Sequence, residues 1–324
     1  MRLVICGNGF DLHHGLKTGY WDYRNYLLNR CSRTIKDYEF LTEQLAGTAA
    51  WSSVEASLEI NYSEYIENLL HHYEKDSDVS LDTYWEDELS FLFSFTGEYF
   101  AKWLGNVDYS VAKPDLALGI SRKDLYVTFN YTDTLQRIYN IPENRILYIH
   151  GKLMDIDPSA FGIGDVFPSG TTTGNVEGLI PIVHGDELAN DIVHYAIQFG
   201  ADAKKVAEMY MPARRKYYKP EKPYFSLLDR IDDTISATTK DVRSNFDKLK
   251  WFLYGQSIDE VVIMGHSLAE PDIMYYSEVL IPYLKNAKWT IMRHIDRSGK
   301  TDNFEEKIAP LVDLLGKKVS IVDW

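Results

Sequence analysis

The sequence predicts an α/β fold with a parallel β-sheet, helices on both faces of the sheet, and two large, mostly helical insertions. Six short apolar runs rich in β-branched residues are bounded by Gly, Asn or Asp, which is typical of buried parallel strands. Helical stretches separate these runs, and two of the gaps far exceed the roughly 30 residues of a βαβ unit. The six predicted strands are Leu3–Cys6, Leu125–Phe129, Ile146–Ile149, Glu260–Met264, Trp289–Ile295 and Val319–Val322.

The spacing of the strands divides the 324 residues into one core and two insertions. The first insertion carries apolar residues at helical spacing, for example Trp51, Val54 and Leu58. The second begins with a Gly/Ser/Thr-rich loop over 167–174, which fits a mobile active-site cover or an ordinary surface loop. We expect the core at about 1–20, 120–152 and 258–324, with the insertions at about 21–119 and 153–257.

Composition and charge exclude several classes of protein. A formal net charge of −14 and a pI near 5.1 disfavour nonspecific binding to nucleic acid through bulk charge. Cys6 and Cys31 are too few for a disulfide scaffold or a Cys-rich zinc site, and without an H-E-x-x-H pattern we expect no metal. No run approaches the roughly 18 apolar residues of a membrane span, and the apolar N-terminal run is too short for a secretion signal. We therefore expect a soluble, cytoplasmic protein that does not bind membranes.

A glycine-rich segment directly after the first strand is the strongest local motif. Gly7-Asn8-Gly9 lets the backbone turn sharply and approach a pyrophosphate, whose charge the N-terminus of the next helix stabilises. The fingerprint G-x-G-x-x-G requires a third glycine where this chain has Leu12. The two glycines also fit a simple tight β-to-α turn. Asp11, in the first turn of that helix, can orient water or ribose, or cap the helix.

Polar clusters follow three other predicted strands, at the edge where open α/β sheets bind ligands. Asn130 can hold ribose hydroxyls, or cap the helix predicted over Tyr131–Tyr139. His150 can act as a general base, or be an ordinary polar residue at a strand end. The three clusters extend from Thr128 to Leu135, from Tyr148 to Lys152 and from Gly265 to Asp272.

Together these motifs resemble those of the AbiH family of phage abortive-infection proteins, which is related to SIR2-like, sirtuin-type NAD-binding proteins. The resemblance implies a Rossmann-type sheet and a phage-defence effector that binds NAD or a related nucleotide. It spans most of the chain in order. The residues that carry it are Gly7-Asn8-Gly9-Phe10-Asp11-Leu12, Gly15-Leu16-Lys17-Thr18 with Tyr20, Trp51 with Glu55, Phe129-Asn130-Tyr131-Thr132, His150-Gly151, and Gly265-His266-Ser267-Leu268 with Asp272.

The resemblance also implies a role for each matched residue. Gly7 and Gly9 would cradle the NAD phosphates, Asn130 would contact the nicotinamide ribose, and His150 would support attack at the C1′ carbon. Because two cysteines cannot form the zinc module of many sirtuins, hydrolysis of NAD is a better expectation than deacetylation. The further residues expected to bind the dinucleotide are Asn8, Asp11, Thr128, Asp133, Gly265, Ser267 and Asp272.

Two features depart from the SIR2-like pattern. An acid follows the Asn by two residues in that pattern, whereas this chain has Thr132 there and Asp133 one position later. A second His-Gly pair, His184-Gly185, competes for the role of base, and His150 is preferred because it closes a short strand after Asn130 in the family order. A catalytically inactive sensor of nucleotides or nucleic acid is therefore one alternative.

Other functions are also open at this point. The segment Gly265-His266-Ser267-Leu268-Ala269 approximates a nucleophile elbow, which would make Ser267 the nucleophile of an α/β serine hydrolase with His294. The stretch from Arg214 to Lys222 interleaves basic and aromatic residues, as nucleic-acid-binding segments do, although a solvated loop explains it as well. The insertions are expected to supply a lid, regulation, or contacts with a second copy or a defence-system partner.

Overall fold

The computed structural model describes residues 1–30, 35, 51, 54, 99–152, 183–185, 239–268, 270–294, 304–316 and 319–324. The chain forms two compact units. The first contains Met1–Tyr23, Ala101–Leu179 and Asn245–Trp324, and the second contains Arg24–Phe100 and Ile180–Ser244. All the site residues considered below lie in the first unit unless stated otherwise.

Within the described residues, a six-stranded parallel sheet forms the centre of the first unit. In space its strands follow the order β3-β2-β1-β6-β7-β8. Two short strands, β4 and β5, form a separate parallel pair in the second unit. The strands are β1 (Arg2–Cys6), β2 (Leu125–Thr128), β3 (Ile146–Tyr148), β4 (Val183–Gly185), β5 (Thr239–Asp241), β6 (Glu260–Met264), β7 (Lys288–Arg293) and β8 (Val319–Asp323). The α/β class and all six predicted core strands are confirmed.

Helices connect the strands of this sheet. The helix predicted from Tyr131 begins three residues later, because residues 130–133 form a loop at the site. No helix among the described residues has the length and apolar character needed to cross a membrane. The helices are α1 (Asn8–His13), α2 (Tyr20–Leu28), α3 (Tyr99–Gly105), α4 (Thr134–Tyr139), α5 (Val242–Leu253), α6 (Glu270–Tyr275), α7 (Ile281–Tyr283) and α8 (Phe304–Leu315), with a π-helical turn at Tyr276–Leu280 between α6 and α7.

The central strands are buried on both faces, which explains why their sequences are continuous apolar runs. In β1, Val4 and Cys6 pack with residues of β2 and β6 on one face of the sheet. Leu3 and Ile5, which alternate with them, are also fully buried, so the opposite face is covered too. At the edge, most of β8 is exposed. The buried centre holds the carboxyl ends of β1, β2, β3 and β6 in a fixed arrangement.

The chain adds its first strands on one side of β1 and, from β6 onward, on the other side. From β1 the chain proceeds outward to β2 and β3 on one side, while β6 pairs with the other side of β1 and leads to β7 and β8. Counting only these six strands, the spatial order is 3-2-1-4-5-6, the arrangement of Rossmann folds. In such sheets ligands bind outside the carboxyl ends of the strands at the reversal point. The fold therefore directs attention to the loops after β1 and β6.

Candidate functional site

Three glycines bring the loops after β1 and β6 into direct contact. A Cβ atom on Gly7 would lie 2.5 Å from the Cα atom of His266, and one on Gly9 would lie 2.7 Å from the Cα atom of Gly265. Gly265 has a positive φ of +61°, and a Cβ atom there would lie 2.3 Å from the backbone nitrogen of Phe10. A side chain at any of the three positions would therefore push the two backbones apart.

The amide hydrogens of these glycines are used inside the protein. Gly7 donates to the carbonyl oxygen of Met264 at 3.1 Å, and Gly9 donates to the carbonyl oxygen of Gly265 at 2.8 Å. These two amides are therefore not available to hold a diphosphate, contrary to the cradle expected from the sequence. What the glycines provide is the close approach of two chain segments. Asn8 is exposed, and its side chain donates to the carbonyl oxygen of Thr18 at 2.8 Å.

Asn130, at the end of β2, joins the glycine loop. Its side-chain nitrogen Nδ2 donates to the carbonyl oxygen of Gly7 at 3.0 Å, and its backbone N–H donates to Thr128 Oγ1 at 3.1 Å. Asn130 is buried and does not cap α4, so the capping alternative does not apply. The residue before α4 is Asp133, whose carboxylate accepts a hydrogen bond from Arg137 Nε at 2.7 Å. Asp133 thus forms an ion pair within its own helix.

Asp11 is a buried carboxylate beneath the same loop. Its Oδ2 atom accepts a hydrogen bond from Thr132 Oγ1, and Thr134 Oγ1 in turn donates to Thr132 Oγ1 at 3.2 Å. Burial raises the pKa of Asp11 to about 6, although hydrogen bonds from Thr132, Thr134 and Asn130 oppose this increase. Asp11 is fully buried and bonded to another element, so it does not act as a cap of α1.

A second buried carboxylate, Asp272, lies between two histidines. Its Oδ1 atom is 3.4 Å from His150 Nε2, and its Oδ2 atom is 3.4 Å from His266 Nε2. Burial by itself raises the pKa of Asp272, but the hydrogen bonds and charges of His150 and His266 together lower it well below the usual aspartate value. Asp272 is therefore ionised at neutral pH. The carboxylate expected to bind the dinucleotide is thus paired with two imidazoles of the protein.

The aromatic ring of Phe129 packs against both histidines. Its centroid lies 4.1 Å from that of His266 and 5.3 Å from that of His150, with edge-to-face geometry in both cases. Tyr276 lies parallel to Phe129 at 6.4 Å, and Tyr131 is stacked on His150 at 5.9 Å. These rings restrict the rotation of the imidazoles. The sequence analysis assigned no role to His266 or Phe129, although His266 directly follows the glycine at the end of β6.

Several buried polar atoms at this edge have no hydrogen-bond partner within the described part of the chain. A buried polar group without a partner is costly, so such a group in a folded protein is often satisfied by water or a ligand. The contacts of 3.4 Å between Asp272 and the two imidazoles are long for hydrogen bonds. This explains why atoms of Asp272 and His266 are in this group. The atoms are Asp11 Oδ1, Asp272 Oδ1, His266 Nε2 and the Tyr276 hydroxyl.

The described residues do not assemble the serine-hydrolase alternative. Ser267 is exposed, and among the described residues no hydrogen bond links it to His294, whose ring lies edge-on to Trp324 at 6.4 Å. His184 belongs to β4 in the second unit. The basic and aromatic segment from Arg214 to Lys222 and the loop over 167–174 lie outside the described residues. No group of three or more His, Cys, Asp or Glu residues in the described ranges could hold a metal ion.

Comparison with known proteins agrees with the motif order found in the sequence. The family model described as "Bacteriophage abortive infection AbiH" matches residues 3–293, which include every site residue discussed above apart from His294. Comparisons with curated proteins and with solved structures gave no match. Since the matched range covers most of the 324 residues, the chain belongs to the AbiH family of bacteriophage abortive-infection proteins.

Proposed function

We propose that this abortive-infection protein binds NAD or a related nucleotide at the carboxyl edge of its sheet and hydrolyses the bond between nicotinamide and ribose. The observation that carries the proposal is the convergence of the residues chosen from the sequence at the reversal point of the sheet. Asn130 bonds to Gly7, Gly7 packs against His266, and Asp272 lies between His266 and His150. The resemblance to SIR2-like proteins adds the identity of the substrate.

Hydrolysis of NAD requires few groups from the protein. The bond between C1′ of the ribose and the nicotinamide nitrogen breaks, and its electron pair goes to the ring, which leaves as neutral nicotinamide. The oxygen of a water molecule forms the new bond to C1′, and a base takes one of its protons. Because charge develops on the ribose, holding its hydroxyls and positioning the water are the main tasks of the site.

His150 is the proposed base. Asp272 is ionised and faces Nε2 of His150, so the carboxylate favours the tautomer with a proton on Nε2 and the lone pair on Nδ1. That lone pair can take a proton from water. An aspartate that orients a histidine in this way is the arrangement that activates nucleophiles in hydrolases of several folds.

Asn130 and Asp11 are the proposed ligands of the ribose. The bond from Asn130 to Gly7 uses one N–H of the carboxamide and leaves its oxygen able to accept from a hydroxyl. Oδ1 of Asp11 has no partner among the described residues and can accept from a second hydroxyl or from the water. A sugar suits such a site because each hydroxyl both donates and accepts. Gly7 and Gly9 contribute by letting the loop after β1 pack against the loop after β6, and their amides are not ligands.

The proposal is tested by incubating the purified full chain with NAD and measuring nicotinamide and ADP-ribose by chromatography. We expect turnover by the wild type and a loss of about 100-fold or more in Asn130→Ala and in His150→Gln, because each removes a group that acts on the ribose or the water. Asn29→Ala is the matched control, since Asn29 is exposed and its side chain donates to the carbonyl oxygen of Asn25 in the preceding helix, α2. His294→Gln is the control for histidine.

Three outcomes would contradict this function. Extract of phage-infected cells is added as a source of activator, and absence of turnover in its presence would exclude the hydrolase activity. Tight binding of NAD without turnover would favour the inactive sensor. Labelling of Ser267 by a fluorophosphonate probe, together with loss of labelling in His294→Gln, would favour the serine hydrolase.

A further inference from the structure

His266 is held by a contact that fixes its protonation. The backbone N–H of Leu268 donates to Nδ1 of His266 at 3.1 Å. A backbone N–H can only donate, so this nitrogen must carry a lone pair. In the neutral ring the proton therefore lies on Nε2, the atom that faces Asp272 Oδ2. Adding a second proton to His266 would break the bond to Leu268.

The turn that supplies this bond is strained. Leu268 has a φ of +55°, in the left-handed region that a leucine rarely adopts, and its side chain is buried. Gly265, three residues earlier, also has a positive φ and is held against the loop after β1. The loop after β6 is thus shaped so that the amide of Leu268 meets the ring of His266.

Asp272 consequently has two unequal partners. On one side it faces His266, whose ring cannot take a second proton while it accepts from Leu268. On the other side its Oδ1 atom faces Nε2 of His150, the proposed base. Phe129 packs on both imidazoles and keeps them at either side of the carboxylate. Since Leu268 holds His266 in one tautomer, His266 suits a positioning role toward His150.

We propose that His266 and Asp272 are positioning residues for His150: the locked ring of His266 holds one oxygen of Asp272, so that the other oxygen keeps His150 in the tautomer with its lone pair on Nδ1. This role rests on the proposed hydrolysis of NAD. It goes further in giving His266 a role and in predicting the tautomers of both rings.

The tautomers are tested by two-bond ¹H–¹⁵N spectra of the full chain labelled with ¹⁵N-histidine, which show which ring nitrogen carries the proton. We expect the pattern of Nε2–H for both His150 and His266 at pH 7.5, with the signals assigned from His150→Gln and His266→Gln. A proton on Nδ1 of His266 would overturn the proposal. This measurement requires no turnover, so it decides the proposal even where the hydrolase assay fails.

Two substitutions of His266 separate positioning from packing. In His266→Gln the amide nitrogen can occupy the place of Nε2 and hold Asp272, whereas in His266→Asn the amide oxygen can replace Nδ1 and hold Leu268 but cannot reach Asp272. We expect kcat to fall by less than about tenfold in the Gln variant and by about 100-fold in the Asn variant, with KM unchanged. Better activity in the Asn variant than in the Gln variant would show that His266 only supports the turn.

Asp272→Asn tests the other half of the proposal. We expect kcat to fall by about 10²–10⁴-fold with little change in KM, because the substrate still binds but His150 loses its orientation. Asp247→Asn is the matched control, as Asp247 is exposed and pairs with Lys250 of the same helix. A rise in KM with kcat unchanged would overturn the proposal. The two variants His266→Gln and His266→Asn keep the test decisive where Asp272→Asn fails to fold.

Discussion

Two buried carboxylates at the same edge of the sheet have opposite environments. Asp11 accepts from neutral hydroxyl and amide donors, and burial raises its pKa to about 6. Asp272 lies between two imidazoles, and its pKa is lowered well below the usual value. Both side chains are almost completely buried, so burial cannot explain the difference. The comparison teaches that the partners of a buried carboxylate determine whether it is ionised.

The difference suits the proposed reaction. A carboxylate that is always ionised can hold a histidine in one tautomer, and Asp272 has that property. A carboxylate with a pKa near 6 can gain or lose a proton close to neutral pH, as Asp11 can. Pairs of acidic groups whose pKa values are separated by their surroundings are a frequent feature of active sites.

The largest expected effect on stability is that of Asp272→Asn, which removes the negative charge of the carboxylate that faces both His150 and His266. We expect it to lower the free energy of unfolding at pH 7 by about 3 kcal/mol or more, because the buried Nε2–H groups of two histidines lose their charged acceptor. The native pKa is depressed, so the advantage of the wild type is present above the unfolded pKa of about 4 and is lost as the pH falls below it. Urea unfolding between pH 7 and pH 3 measures the difference.

Asp11→Asn should show the opposite pH dependence. The native pKa is about 6 against an ordinary value of 3.8, so ionisation of Asp11 destabilises the wild type as the pH rises through that interval. Between pH 4 and pH 7 we expect Asp11→Asn to gain about 3 kcal/mol relative to the wild type. Asp247→Asn should show no such trend. A difference that is flat with pH would mean that Asp11 and Asp272 titrate alike, and the comparison would fail.

The smallest effect is expected for Tyr276→Phe, beside Asp272. The Tyr276 hydroxyl is buried, and no hydrogen-bond partner for it is found in the described residues. Removing it should change the free energy of unfolding by less than about 1 kcal/mol, since no hydrogen bond is lost. A loss above about 2 kcal/mol in urea unfolding would show that the hydroxyl has a partner. Asp272 is the first candidate, because burial and then the charge of Asp272 raise the pKa of Tyr276.

The core strands could be predicted from the sequence because a strand that is buried on both faces is a continuous run of apolar residues. Val261 to Met264, for example, form a run without a polar residue. The strands β4 and β5 could not, because three residues such as Val183–Gly185 are too few to show a period. The late start of α4 also escaped prediction, since the tertiary bond from Asn130 to Gly7 overrides the local preference for a helix.

The site was predicted in part. The choice of Asn130 and His150 followed from their positions after strands, and the topology places those strand ends at one edge. Whether the amides of Gly7 and Gly9 are free to bind a ligand could not be predicted from the sequence. The answer depends on the loop after β6, which is far away in the chain. For the same reason the partners of Asp11 and Asp272 could not be assigned from their own segments. Side chains that meet across strands leave no short-range pattern.

The contact between Gly9 and Gly265 has a consequence during synthesis of the chain. The loop after β1 leaves the ribosome long before its partners in the loop after β6, because the two loops are far apart in the sequence. Until then β1 lacks one neighbour, and Asp272 and His266 are absent altogether. A chain that stops before β6, through stalled or interrupted translation, therefore contains Asn130 and His150 without the residues that organise them. For a protein whose proposed activity would harm its own cell, unfinished copies would be harmless.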